Sequence, residues 1–152
     1  MKLEEFLTEQ HVAFERLQHR PAFSTSRVAR LLHVPGNEMA KSVLLRSDHG
    51  YVLAVLPTTL KVDLTLLGQN LGEDEMELAS EEELEQIFRD CERGAMPPFG
   101  SMYHITTVVD RSLTEDEEIV FEAQDHEHAI RMKYRDFAAM EHPQIGHFAC
   151  RS

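Results

Sequence analysis

The sequence predicts an α+β fold, a single domain over residues 1–152 in which helices pack on a largely antiparallel, mixed sheet. Three observations predict it. The chain has 152 residues, the usual size of one domain, and no Gly/Ser/Pro-rich linker or internal repeat divides it. Two apolar runs, residues 41–47 and 51–57, flank Asp48-His49-Gly50, which is the pattern of a β-hairpin. The other helix and strand signals come in mixed order, without the strand–helix–strand alternation of a parallel sheet. Hydrophobic residues make up 42% and charged residues 28% of the chain, a balance that excludes a disordered tail, a collagen-like repeat and a disulfide scaffold.

Leu3, Phe6 and Leu7 recur at helical spacing, so a first helix is expected over residues 2–10. Val12, Phe14 and Leu17 alternate loosely, as in an edge strand. Ser24, Thr25 and Ser26 offer N-caps to a helix carrying Val28, Leu31 and Leu32, which must end before Pro35-Gly36. The hairpin follows. Val62, Leu64, Leu66, Leu67 and Leu71 then predict a helix ending near Gly72. Ser80 and Glu83 form a capping-box pattern, and Glu81, Glu82 and Glu83 suit the positive end of a helix running to about Arg89. Residues 105–109, 119–123 and 129–134 read as strands, and 136–141 as a short helix before Pro143.

Fifteen basic residues face 27 acidic ones, for a net charge of −12. Taken whole, this excludes a general nucleic-acid coat protein, because phosphate neutralisation drives such binding. The distribution is uneven. Between Arg16 and Lys61 there are seven bases and two acids, whereas between Glu73 and Glu92 there are ten acids and one base. One region can therefore face a polyanion while another repels it. The acidic N-terminus lacks the pattern of an export signal, and no apolar run approaches the ~20 residues of a membrane span. Cys91 and Cys150 are expected as free thiols, and the protein as cytoplasmic, without a membrane or DNA partner.

Phosphate-loop, dinucleotide, nucleophile-elbow and Cys-x-x-Cys motifs are absent. Three constellations could carry chemistry. Lys41 opens a strongly apolar strand, and if Val43 and Leu45 share its face, its ammonium starts partly desolvated, ready for a phosphate or a polarised carbonyl. It could equally mark a strand end and reach for water. Gly94-Ala95-Met96-Pro97-Pro98-Phe99-Gly100 is a stiffened loop whose glycines permit close backbone approach, suited either to a small ligand or to a rigid connection. His126 and His128, two apart on a strand, would face one side, but two ligands do not make a metal site.

These segments, in order, resemble the YbaK/ProX-type aminoacyl-tRNA deacylases, the domain also found as the editing insertion of bacterial prolyl-tRNA synthetases. The likeness runs from His19-Arg20-Pro21-Ala22-Phe23-Ser24-Thr25 through Ala40-Lys41-Ser42-Val43-Leu44-Leu45 and Val55-Leu56-Pro57. It continues through Leu78-Ala79-Ser80-Glu81-Glu82-Glu83-Leu84, the Gly94 to Gly100 loop, Val109-Asp110-Arg111-Ser112-Leu113 and Phe121-Glu122-Ala123. The resemblance implies a curved sheet packed by helices and hydrolysis of the ester linking a wrongly attached small amino acid (alanine, cysteine, serine or threonine) to tRNA. It implies Lys41 as the catalytic residue and Gly94, Met96, Pro97, Pro98, Phe99, Gly100, His126, Ser42 and Thr25 as substrate-binding residues. No metal or other cofactor is implied. The tRNA acceptor end is the expected partner, with an aminoacyl-tRNA synthetase as a further candidate. Two departures stand out: Gln124 where the family usually has glycine, and Arg20 interrupting the usual His-Pro pair. A non-catalytic amino-acid- or nucleotide-binding module on the same fold is the alternative, and a histidine-based metallohydrolase is a third reading.

Overall fold

A computed structural model describes residues 2–151. Helix α1 (Leu3–Glu9) buries Leu3 and Leu7, the apolar stripe of its sequence. Strand β1 (Glu15–Gln18) lies at the edge of a three-stranded sheet, as its loose alternation predicts. Helix α2 (Thr25–Leu31) starts where the Ser24 side chain accepts the Arg27 N–H, and buries Val28 and Ala29. The hairpin of β2 (Ala40–Ser47) and β3 (Gly50–Pro57) is paired along its whole length, from Ala40–Pro57 to Ser47–Gly50.

The next segment departs from expectation at its start. Leu60–Val62 is a short strand, β4, and helix α3 (Leu64–Leu71) begins only after Asp63, whose side chain accepts the Leu66 N–H. Val62 thus belongs to the strand, since the capping aspartate sets the helix start. Strand β5 (Glu77–Leu78) pairs with β2, and α4 (Glu81–Ile87) carries the full capping box. Strands β6 (Thr106–Asp110), β7 (Glu118–Glu122) and β8 (His128–Lys133) are followed by α5 (Tyr134–Glu141), and then by β9 (Gln144–Gly146) and β10 (Ala149–Arg151).

The strands form three hydrogen-bonded groups: β1-β8-β7, β10-β4 and β5-β2-β3-β6-β9. The first two are antiparallel; in the third, β6 runs parallel to both β3 and β9. The first and third groups meet at a parallel bridge between Met39, just before β2, and Val120 of β7. The fold is α+β with mixed sheets. Its main core gathers Leu3, Leu7, Val55, Val109, Phe121 and Phe137 around Phe99. Phe99 is fully buried and meets Phe6, Phe121 and Phe137 edge-on at 5.8, 5.6 and 5.2 Å. Removing such a ring costs about 3–5 kcal/mol, so the Gly94 to Gly100 loop is anchored to the core at its far end.

Candidate active site

Lys41 leaves β2 on the face that carries Met39, Val43 and Leu45. Met39 lies under α2, while Val43 and Leu45 lie under α3. The lysine thus emerges between two helices, half-buried, and burial lowers its pKa from the ordinary lysine value. Its Nζ donates to the Thr58 carbonyl at 3.5 Å. Thr58 follows the end of β3, where its N–H donates to the Met39 carbonyl at 2.8 Å. The Thr58 and Thr25 hydroxyls share a 2.6 Å hydrogen bond, which ties the first turn of α2 to this corner. Among the described residues no carboxylate lies within ion-pair distance of Lys41, although the chain carries 27 acids.

A second group of residues centres on His126. Its Nε2–H donates to the Arg93 carbonyl at 2.6 Å. Gly94 follows with φ of +83°, a conformation that favours glycine, and a Cβ there would sit 3.8 Å from the His126 ring. The other ring nitrogen, Nδ1, is 3.5 Å from Glu122 Oε1, and both side chains are almost wholly buried. Neither of these two atoms has a conventional hydrogen-bond partner. Burial, opposed chiefly by the nearby histidine, pushes the Glu122 carboxyl up to about 7. Phe23 lies against the His126 ring with centroids 4.9 Å apart. Because Phe23 stands two residues before Thr25, it joins the histidine group to the lysine corner.

The expected site residues thus fall into two connected groups and a buried remainder. Thr25 and Lys41 share Thr58, while His126 and Gly94 share the loop entrance. The hydrogen bond of Lys41 goes to Thr58 and not to the loop. Ser42 points to the opposite face of β2 from Lys41, and its hydroxyl is buried without a partner. Pro97, Pro98, Phe99 and Gly100 are buried, and Phe99 ties the loop to the core from beneath. At Gly100 a Cβ would come within 2.5 Å of the Ile105 carbonyl oxygen, so glycine is needed there for backbone contact. Met96 is half-buried beside Leu44, Leu53 and Phe88. A cavity of about 220 Å³ flanks the loop between Leu84, Phe88, Cys91, Gly94 and Met96.

His126 and His128 do not act as a pair. His126 sits in the turn before β8, and His128 Nδ1 contacts the Asp125 carboxylate at 2.8 Å instead. The two therefore lack the shared strand face that their spacing suggested. Among the described residues no cluster of three or more His, Cys, Asp or Glu is arranged to hold a metal. Burial first of all pushes the Cys91 thiol up to about 12, which keeps it protonated. A groove of about 690 Å³ lies elsewhere, between Leu64, Gly68, Met76 and the carboxylates Glu73, Asp74 and Glu75, a setting that repels phosphates.

Sequence reasoning did not single out Thr58, Glu122 or Phe23. Glu122 had a signal: an acid in the apolar run 119–123, on the same strand face as Val120. Thr58 and Phe23 had none, because their partners are distant in the chain.

The family profile described as an aminoacyl-tRNA editing domain matches residues 19–140. The chain belongs to this editing-domain family. It is 24% identical over 147 residues to the multifunctional Ser/Thr-tRNA deacylase ProXp-y of Escherichia coli (strain K12), covering 93% of this chain and 87% of that protein. It is 22% identical over 136 residues to the prolyl-tRNA editing protein ProX of Acetoanaerobium sticklandii, covering 86% and 82%. Two crystal structures share the fold. The hypothetical protein APE2540 superposes with a TM-score of 0.89 at 18% identity, covering 99% of this chain and 100% of that one. A candidate trans-editing enzyme for prolyl-tRNA synthetase superposes with a TM-score of 0.82 at 17% identity, covering 96% and 93%. Within the editing domain, Lys41, Gly94 and His126 all fall inside the matched span. No helix among the described residues is long and apolar enough to cross a membrane.

Proposed function

We propose that this editing domain acts in trans on mischarged tRNA, hydrolysing the ester that joins a small amino acid to the terminal ribose, with Lys41 as its essential cation. The observation that carries this assignment is the state of that ammonium: half-buried, unneutralised by any described carboxylate, and resting on a neutral carbonyl. A cation so placed is free to meet an anion arriving from outside. In a partly desolvated setting it stabilises charge more strongly than in water.

The chemistry asks little more. An aminoacyl ester is already activated, so the protein needs to position the substrate and water and to stabilise negative charge on the carbonyl oxygen. Lys41 binds the phosphate or ester oxygens of the terminal adenosine, and a ribose hydroxyl of the substrate helps to activate the water. The backbone around Gly94, exposed while most of the loop is buried, lies against the amino acid. Serine and threonine esters lead the candidate substrates, as the name of the Escherichia coli relative suggests, with alanine and cysteine esters in the same size class. A synthetase is a further partner under this reading, and the reaction belongs in the cytoplasm, where tRNA is charged.

The test is a deacylation panel with tRNAs carrying serine, threonine, alanine and cysteine, each repeated with Lys41→Ala. Loss of one stabilising donor of this kind lowers kcat by about 100-fold or more. Undiminished hydrolysis by the variant overturns the role of Lys41. Failure of the parent on every ester favours a binding module instead.

A further inference from the structure

We propose that Phe23, with Arg20, Arg27 and Arg30, forms the docking surface for the single-stranded 3′ end of the RNA, with the Phe23 ring stacking on the terminal base. The proposal rests on the editing function and adds a binding surface to it. Phe23 is 77% exposed, the most exposed large hydrophobic side chain among the described residues. Its ring rests at a tilt on His126, and most of its surface stays open to solvent. A ring fixed in this way offers a stacking platform at small entropic cost, and any base can use it because every base has a π-face.

The charge of the segment that carries the ring points to the occupant. Residues 20–30 contain three arginines and no acid, and all three arginines are exposed. Four other arginines are neutralised by carboxylates: Arg16 on Glu4, Arg46 on Glu77 and Glu83, Arg93 on Glu81 and Glu85, and Arg131 on Glu15. Arg20, Arg27 and Arg30 form no ion pair among the described residues. On a chain with net charge −12, an acid-free segment of sequence that carries three exposed arginines and an open aromatic ring suits a polyanion bearing planar bases. An apolar peptide would leave the three guanidiniums unused. The surface also adjoins the site, since Phe23 contacts His126 on one side and leads into Thr25 and the Lys41 corner on the other. Arg20, which breaks the usual His-Pro pair, gains a purpose here.

Binding of a short single-stranded RNA ending in CCA, with a matched oligonucleotide whose last residue is abasic, tests the surface. The parent should favour the intact RNA by roughly tenfold, the scale of one base stacked on an aromatic ring. Phe23→Leu keeps apolar cover on His126 but has no π-face, and it should abolish that preference, as should Phe23→Ala. Replacing Arg27 or Arg30 by Gln should flatten the dependence of log affinity on log salt by about 0.7 per lost phosphate contact. Equal binding of both oligonucleotides by the parent, or an unchanged preference in Phe23→Leu, overturns the proposal. Because no ester is involved, the result is independent of deacylation. A parent that discriminates the abasic RNA yet hydrolyses no ester retains the surface and loses the function, and the converse outcome does the opposite.

Discussion

Glu122 and His126 set a proton balance beside the loop. The Arg93 carbonyl can only accept, so His126 Nε2 carries a hydrogen. In a neutral ring, Nδ1 then presents a lone pair to Glu122 Oε1, and a carboxylate there would be repelled. The pair is satisfied when one proton lies between them. Asp125 and Glu92 add negative charge nearby, which further favours holding it. The consequence for stability has a definite sign. Glu122 in the folded protein titrates at about 7, above its ordinary carboxylate value, so the folded state binds more protons than the unfolded state between the two. Stability from this group is greatest in acid and declines as pH rises through about 7. Urea unfolding near pH 5 and near pH 8 should show the parent weakening at the higher pH, with Glu122→Gln losing clearly less. Gln124 shows what a single sequence hides at this scale. Its φ of +74° is the conformation that glycine would take without strain. The side chain offsets the strain by accepting the Leu3 N–H and donating to Asp90 and Tyr103. These partners come from three distant parts of the chain, so no local pattern announces them.

Elements held by local chemistry were the ones the sequence revealed. Both halves of the capping box at α4 are formed: Ser80 Oγ accepts the Glu83 N–H, and Glu83 accepts the Ser80 N–H. The Ser80 N–H leads the causes that hold the Glu83 carboxyl down at about 2, followed by the Tyr51 hydroxyl. Ser80→Ala should destabilise the protein by about 1 kcal/mol, read as a lower urea midpoint with an unchanged slope. The hairpin was legible for a similar reason, because its turn and both strands are contiguous. Strands β4, β5, β9 and β10 were not. Each has two or three residues, too few to show a period, and each exists through a partner far along the chain. The site divides in the same way. Lys41 and the Gly94 loop stand out locally, whereas the inward turn of Phe99 and the Glu122 pairing depend on packing.

At the scale of the whole molecule, charge and topology work together. The acidic stretch lies along α4 and the 690 Å³ groove, while the basic segment surrounds the entrance to α2. Composition located these two regions along the chain; only the fold shows that the basic one opens beside Lys41. The class of fold was legible, but the parallel course of β6 between β3 and β9 was not, since no local signal fixes which distant strands become neighbours. The exposed ring at position 23 has a practical consequence. The chain contains no tryptophan, so Phe23→Trp would give the molecule a single indole fluorophore, seated against an imidazole. A base arriving on that indole should quench its emission in a saturable titration, which an emission spectrum unmoved by added RNA would refute.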